Sequence, residues 1–347
     1  MTGRLTIALD AMGGDHAPGV VIRGANLARQ RYPGVHFLLV GREAQLARLM
    51  TKQKKLSEVV TILPADDVVS GEEKPAVALR SGRRSSMRLA INAVAEGKAD
   101  GIVSAGNTGA LMAMSKFVLK TLPGVDRPAI ASFFPTLKGE SAMLDLGANL
   151  QCDAKNLVDF AIMGRAFART VLGVPEPTYA LLNVGSEELK GHEDLQEARD
   201  ILLATGDPGF KGFVEGDDIT KGTVDVVVTD GFTGNIALKA AEGTAKLVSE
   251  YLNRTFRSSL LAGLGYILAR SALRKLRKRL DPRRYNGAVF LGLNGIAVKS
   301  HGGTDALGFA HAVGVAVDMV KHGIIEKIRS DYARMVPPAP ESRAAAV

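Results

Sequence analysis

The chain has 347 residues, with 44 Lys and Arg against 36 Asp and Glu and a formal net charge of +8. At 46% hydrophobic and 23% charged, with 38 Gly, the composition is that of an ordinary globular protein and excludes disordered, collagen-like and disulfide-rich classes. The charge excess is local, because residues 270 to 284 hold eight basic side chains and one acid, Asp281, and the remainder nets +1.

The one cysteine, Cys152, cannot form an intramolecular disulfide, and no CxxC zinc pattern occurs, so neither an oxidising compartment nor a metal site is expected. The opening MTGRLTIALDAMGG lacks a basic stretch followed by a long apolar run and a cleavage site, which makes a cytoplasmic setting the expectation. From there, short apolar runs alternate with helical stretches, the pattern of strands buried on both faces of a sheet. Strands are predicted at residues 5–10, 36–41, 59–63, 101–105, 129–134, 142–147, 179–185, 224–230 and 288–293. Helices are predicted at 85–96, 108–120, 154–172, 234–252 and 304–322. The expected fold class is α/β, a doubly wound and mostly parallel sheet. Residues 253–286 break the alternation and read as a helical excursion. One α/β domain over 1–335 is therefore expected, followed by a disordered tail at 336–347, where Pro and small residues lack periodicity.

Five strand runs finish in a small or polar residue and Gly: LDAMGGDH, VSAGNTGA, LDLGAN, LNVGSE and VTDGFTGN. In an open α/β sheet such ends line one crevice, so these loops are expected to converge. The first places Asp10, Gly13, Gly14 and His16 at a tight turn where backbone approaches a ligand, or where Asp15 merely caps a helix. The second (Ser104, Gly106, Asn107, Thr108) and the last (Thr233, Gly234, Asn235) each run from strand to Gly-rich turn to helix start. Free N–H groups and the positive helix end there suit a phosphate or carboxylate, although the same residue types also cap helices. Neither is a Walker A loop, and GxGxxG is absent, which argues against nucleotide and nicotinamide cofactors. Asp145 and Asn149 follow the third run. Asn183, Ser186 and Lys190 follow the fourth, where an ammonium could stabilise an oxyanion or simply be solvated. No GxSxG or Cys–His constellation occurs, so a bound substrate attacking directly fits better than a covalent acyl-enzyme.

The excursion is apolar and then basic. Leu261, Leu264, Ile267 and Leu268 precede Arg270, Arg274, Lys275, Arg277 and Lys278, with Leu273, Leu276 and Leu280 spaced by three and four. This is an interfacial amphipathic pattern suited to anionic lipid or an acidic protein, or a helical hairpin packed in a homodimer. Nucleic acid is not expected, because no aromatics interleave and no recognised fold motif is present.

The motifs IALDAMGGDHAP, SSMRLAINAVAEGKADGIVSAGNTGALM, MLDLGAN, LLNVGSEELKG, VVVTDGFTGNIALK and LNGIAVKSHG run in order from residue 7 to about 322. In this the chain resembles the PlsX family of bacterial phosphate acyltransferases. The resemblance implies a homodimer with an isocitrate and isopropylmalate dehydrogenase-like fold and no cofactor. It implies transfer of an acyl group from acyl-acyl carrier protein to inorganic phosphate, with the acyl phosphate handed to a membrane glycerol-3-phosphate acyltransferase. It further implies peripheral membrane association through residues 258–280, a catalytic role for Lys190 and Asn235, and secondary roles for Asp10, His16, Asn107, Asp145, Asn149, Lys299 and His301. The stretch from Arg80 to Met87 departs from the family pattern, being Arg-rich without an acid before Ser85 and Ser86.

Overall fold

A computed structural model describes residues 4–279 and 281–335, so the tail expected at 336–347 lies outside the described residues. Eleven strands form one sheet: β1 (Thr6–Asp10), β2 (His36–Gly41), β3 (Val60–Pro64), β4 (Gly101–Ser104), β5 (Ala129–Pro135), β6 (Glu140–Leu144), β7 (Tyr179–Leu182), β8 (Phe210–Val214), β9 (Val226–Val228), β10 (Ala288–Leu291) and β11 (Ile296–Lys299). Their order is β3-β2-β1-β4-β11-β10-β5-β6-β9-β7-β8. Burial on both faces explains the near-continuous apolar runs, as in the wholly buried β4 and β7.

Two strands escape the pattern. β8 (FKGFV) is broken by Lys211 and Gly212, and β11 (IAVK) is only four residues long and follows β10 after the short connection 292–295. The omission matters, because β11 pairs parallel with β4 and antiparallel with β10 and so joins the two halves of the sheet.

The halves run in opposite senses. β1 to β4 and β11 are mutually parallel, as are β6, β7, β8 and β9, but the antiparallel pairings β11–β10, β10–β5 and β5–β6 turn the second set against the first. Parallel alignment therefore does not gather all five Gly-rich strand ends on one edge, which corrects that expectation. Four steps separate β11 from β9, and at roughly 20–25° per step the sheet turns by about 80–100° between them. The two sets of strand ends therefore form two separate clusters.

Helices cover both faces. Gly19–Arg31, Ala154–Phe167, Ala306–Lys321 and Ile324–Met335 pack on one core, with Phe160, Phe167 and Phe309 fully buried. On the other, Ser86–Ala95 and Thr108–Leu119 join the first turns of Gly231–Phe256. That last helix leaves the body: of its 26 residues only Gly231 and Gly234 are buried. It continues through a short turn into the helix Leu260–Arg279, and the pair forms an arm that starts well before residue 253. The arm returns at its foot, where Arg279 donates to the Leu137 carbonyl and the Tyr285 hydroxyl donates to the Arg279 carbonyl.

Candidate active site

The first cluster gathers the ends of β1, β4 and β11. Asp10 is buried and accepts Ser86 Oγ at 2.6 Å, Ser104 Oγ at 2.7 Å and the Met12 N–H at 3.3 Å. Burial raises its carboxyl above the usual carboxylate range, opposed by those hydrogen bonds. Gly13 is required sterically, since a Cβ there would lie 2.5 Å from Asp10 Oδ2 and 2.7 Å from the Gly106 nitrogen. Gly14 adopts a φ of 100°, and the next N–H, of Asp15, donates to the Gly302 carbonyl at 3.0 Å, tying this turn to the loop after β11.

Lys299, on β11, faces Asp10 and Asp15; burial pulls its ammonium down to about 8 although both carboxylates oppose the change. It donates to the Ala105 carbonyl at 3.5 Å and to the Ser300 carbonyl. His16, Thr108 and His301 are exposed, and the His301 N–H is held by Asn286 Oδ1 at 2.9 Å.

Two groups expected to be free for an anion are occupied. The Gly106 N–H donates to Ser104 Oγ at 3.0 Å. Asn107 caps its helix by accepting the Ala110 N–H at 3.0 Å, while its amide donates to the carbonyls of Ser70, Gly71 and Glu73. Asn107 here pins a neighbouring loop, and a capping Asn forms local bonds of this kind.

The second cluster gathers the ends of β6, β9 and β7. Asp145 is fully buried and accepts the N–H groups of Ile130, Ala148 and Asn149 together with the Asn149 side chain, at 2.7–3.1 Å. Burial nevertheless raises its carboxyl. Asn149 also donates to the Pro128 carbonyl at 2.8 Å, so both residues organise the loop. Asp230 caps the helix Gly231–Phe256, accepting the Thr233 N–H at 2.8 Å and its hydroxyl at 2.7 Å. One turn in, Asn235 donates from Nδ2 to the Leu146 carbonyl at 3.1 Å and packs on Gly147, whose φ is 121°. Gly234 admits no side chain, because a Cβ would overlap the Asp145 carbonyl.

Lys190 sits in the loop after β7. Asn183 donates to its carbonyl at 3.0 Å, and Gln196 and Arg199 hold the flanking carbonyls of Leu189, Gly191 and Glu188. The backbone is thus fixed, while the Lys190 and Ser186 side chains are exposed. Beside this loop a trench of about 650 Å³ runs between the helix Gly231–Phe256 and the helices Glu193–Ala204 and Gly216–Lys221. Asn183, His192, Asp230 and Thr233 stand along its polar part, and Leu182, Ile219, Phe232 and Ile236 are among its apolar lining.

Cys152 lies next to this cluster, where burial and the nearby Asp145 and Asp230 push its thiol up to about 12, so it is not a nucleophile at neutral pH. Among the described residues no group of three or more His, Cys, Asp or Glu could hold a metal. Ser86 was not among the expected site residues, although its hydroxyl makes the shortest bond to Asp10. Its signal was the Ser85-Ser86 pair, of which Ser85 caps the helix and Ser86 turns inward.

The continuous mixed sheet, with two oppositely directed parallel sets joined through antiparallel strands and polar clusters at both sets of strand ends, has the α/β architecture of the phosphotransacetylases. A phosphotransacetylase from Streptococcus pyogenes superposes with a TM-score of 0.62 at 18% identity over 92% of this chain and 95% of that one. A branched-chain phosphotransacylase from Enterococcus faecalis gives 0.55 at 12% identity over 92% and 99%. The family model for fatty acid synthesis protein matches residues 5–327. The phosphate acyltransferase of Rhodospirillum centenum is 66% identical over 96% of this chain and 95% of its own, and that of Rhodospirillum rubrum is 58% identical over 96% of each. The chain belongs to this fatty acid synthesis protein family, that of the PlsX phosphate acyltransferases.

Proposed function

We propose that the chain moves a fatty acyl group from acyl-acyl carrier protein to inorganic phosphate, with Lys190 and Asn235 as the catalytic pair. The observation that supports this reading is that the exposed Lys190 adjoins Gly191 and His192, which line the apolar trench, while Asn235 lies on the helix Gly231–Phe256 that forms another of its walls. A phosphate oxygen attacks the thioester carbonyl, the carbonyl oxygen becomes an oxyanion, and the C–S bond breaks to release the carrier thiolate, which takes up a proton. Lys190 supplies positive charge to the oxyanion. The Asn235 amide, held by Leu146 through one N–H, offers the other. Phosphate held in line with the carbonyl gains from proximity and orientation, with no covalent enzyme intermediate.

Acyl carrier protein, an acidic partner, fits the exposed basic side chains Arg270, Arg274 and Lys275 on the arm. The Arg277 and Lys278 side chains, expected to share this role, lie outside the described residues. The arm also exposes Leu261, Leu264, Ile267 and Leu268 at 58–85%. Among the described residues no helix is long and apolar enough to cross a membrane, so this surface suits peripheral docking on anionic lipid. There the acyl phosphate would pass to a membrane glycerol-3-phosphate acyltransferase. The chain is proposed to work as a homodimer without a cofactor.

Incubating the protein with acylated carrier protein and phosphate is expected to release free carrier thiol and acyl phosphate in equal amounts. Release without phosphate, or none, overturns the reading, and faster turnover of acyl-coenzyme A would replace carrier protein as the donor.

A further inference from the structure

We propose that the trench beside Lys190 holds the acyl chain of the substrate and that Ala240 and Ala241 set the chain length it accepts. This deepens the acyl-transfer reading above and rests on it for the identity of the chain. The trench has the polarity of an amphiphile: polar groups stand at Asn183, His192, Asp230 and Thr233 beside the catalytic loop, and the rest of the lining is chiefly apolar. Its volume of about 650 Å³ lies within the roughly 300–1,000 Å³ usual for small-molecule sites.

The helix Gly231–Phe256 forms one wall. Thr233, Ala237, Ala240, Ala241 and Thr244 recur at helical spacing on the face that lines the trench. At about 1.5 Å per residue, Thr233 and Thr244 are about 16 Å apart along the axis, and Ala240 is about 10 Å from Thr233. The three alanines project only a methyl each, so the wall is low where larger apolar residues would close the groove. The opposite wall is firm, since Leu182, Leu195 and Ile219 are all under 9% exposed. A chain entering beside Lys190 therefore passes Ala237 and reaches Ala240 only when it is long. Each methylene buried here adds to affinity, less the losses of ordering, so a longer chain gains by reaching Ala240.

The experiment compares hexanoyl and palmitoyl carrier protein as donors for the full-length wild type, Ala240→Phe and Ala241→Leu. Calorimetric titration with free palmitate provides a readout independent of turnover. The palmitoyl-to-hexanoyl ratio of kcat/KM is expected to fall about tenfold or more in each variant, as expected when a pocket loses room for methylenes. Palmitate affinity should fall with it. Ala240 is exposed, so Phe there does not overpack the core, and thermal melts check both variants. An unchanged ratio together with unchanged palmitate affinity overturns the trench as the chain site. Wild-type protein that binds palmitate in a way blocked by Ala240→Phe, yet releases no acyl phosphate, would leave the trench standing and remove the acyl-transfer reading instead.

Discussion

Asn235 donates its side-chain amide to the carbonyl of Leu146 at 3.1 Å, across the seam between the helix after β9 and the loop after β6. One N–H is thus committed to holding the loop that Asp145 organises, and the other is the one the proposed mechanism uses. Lys190, by contrast, has a fixed backbone and an exposed side chain.

The two residues should therefore separate in mutagenesis. On the proposed role as oxyanion donor, Lys190→Ala is expected to lower kcat by about 10²–10³ with an unchanged Tm, since its side chain is exposed. Asn235→Ala is expected to lower kcat on the same scale and also to destabilise by about 1 kcal/mol, the usual net worth of a lost hydrogen bond. Steady-state kinetics and urea denaturation on both variants check this.

Lys299 gives a pH signature. Its folded-state value of about 8 lies below the ordinary lysine value of 10.5, so between these limits the unfolded chain binds more protons than the folded one. Its contribution to stability is unfavourable below about pH 8 and improves as pH rises toward 10.5. Denaturation series across this window should show a rise for the wild type that Lys299→Met lacks. Asp10→Asn removes a carboxylate that holds the ammonium charged, so the onset of the rise should move to lower pH.

Gly13→Ala should be costly although the change is one methyl. The new Cβ would meet Asp10 Oδ2 at 2.5 Å and the Gly106 nitrogen at 2.7 Å, and neither can withdraw without breaking the bonds to Ser86 and Ser104. A loss of about 1–3 kcal/mol is expected in urea denaturation.

Cys152→Ala should retain activity within about twofold, and the wild-type thiol should react slowly with disulfide reagents at pH 7. Its proton is held up to about 12 by burial and by Asp145 and Asp230. Loss of turnover in this variant would revive a covalent acyl-enzyme.

The arm is tested with liposomes. Co-sedimentation is expected only with anionic lipid and should be abolished by replacing Leu268 and Leu276 with Asp, since 85% and 43% of these side chains are exposed. Each basic residue near the surface contributes about 1 kcal/mol. Unchanged sedimentation, with an altered oligomeric state, would assign the arm to the homodimer instead.

Much of this protein is legible in the sequence alone. Strands buried on both faces announce themselves as apolar runs, and each Gly-rich end marks where backbone must turn tightly. The basic segment that produces the net charge stands out because its charges are contiguous. Periodicity and turn chemistry are local properties and need no partner to be read. What only the tertiary structure decides is pairing. β11 is only four residues long, yet the antiparallel pairings that begin between it and β10 reverse the sense of half the sheet. That reversal divides the strand ends into an Asp10–Lys299 cluster and an Asp145–Asn235–Lys190 cluster. It also takes partners from elsewhere in the chain to show that the Asn107 amide is already hydrogen-bonded, and that three alanines on one helix form the wall of a trench. Those contacts join residues tens to hundreds of positions apart, and a chain records such distances only once it has folded.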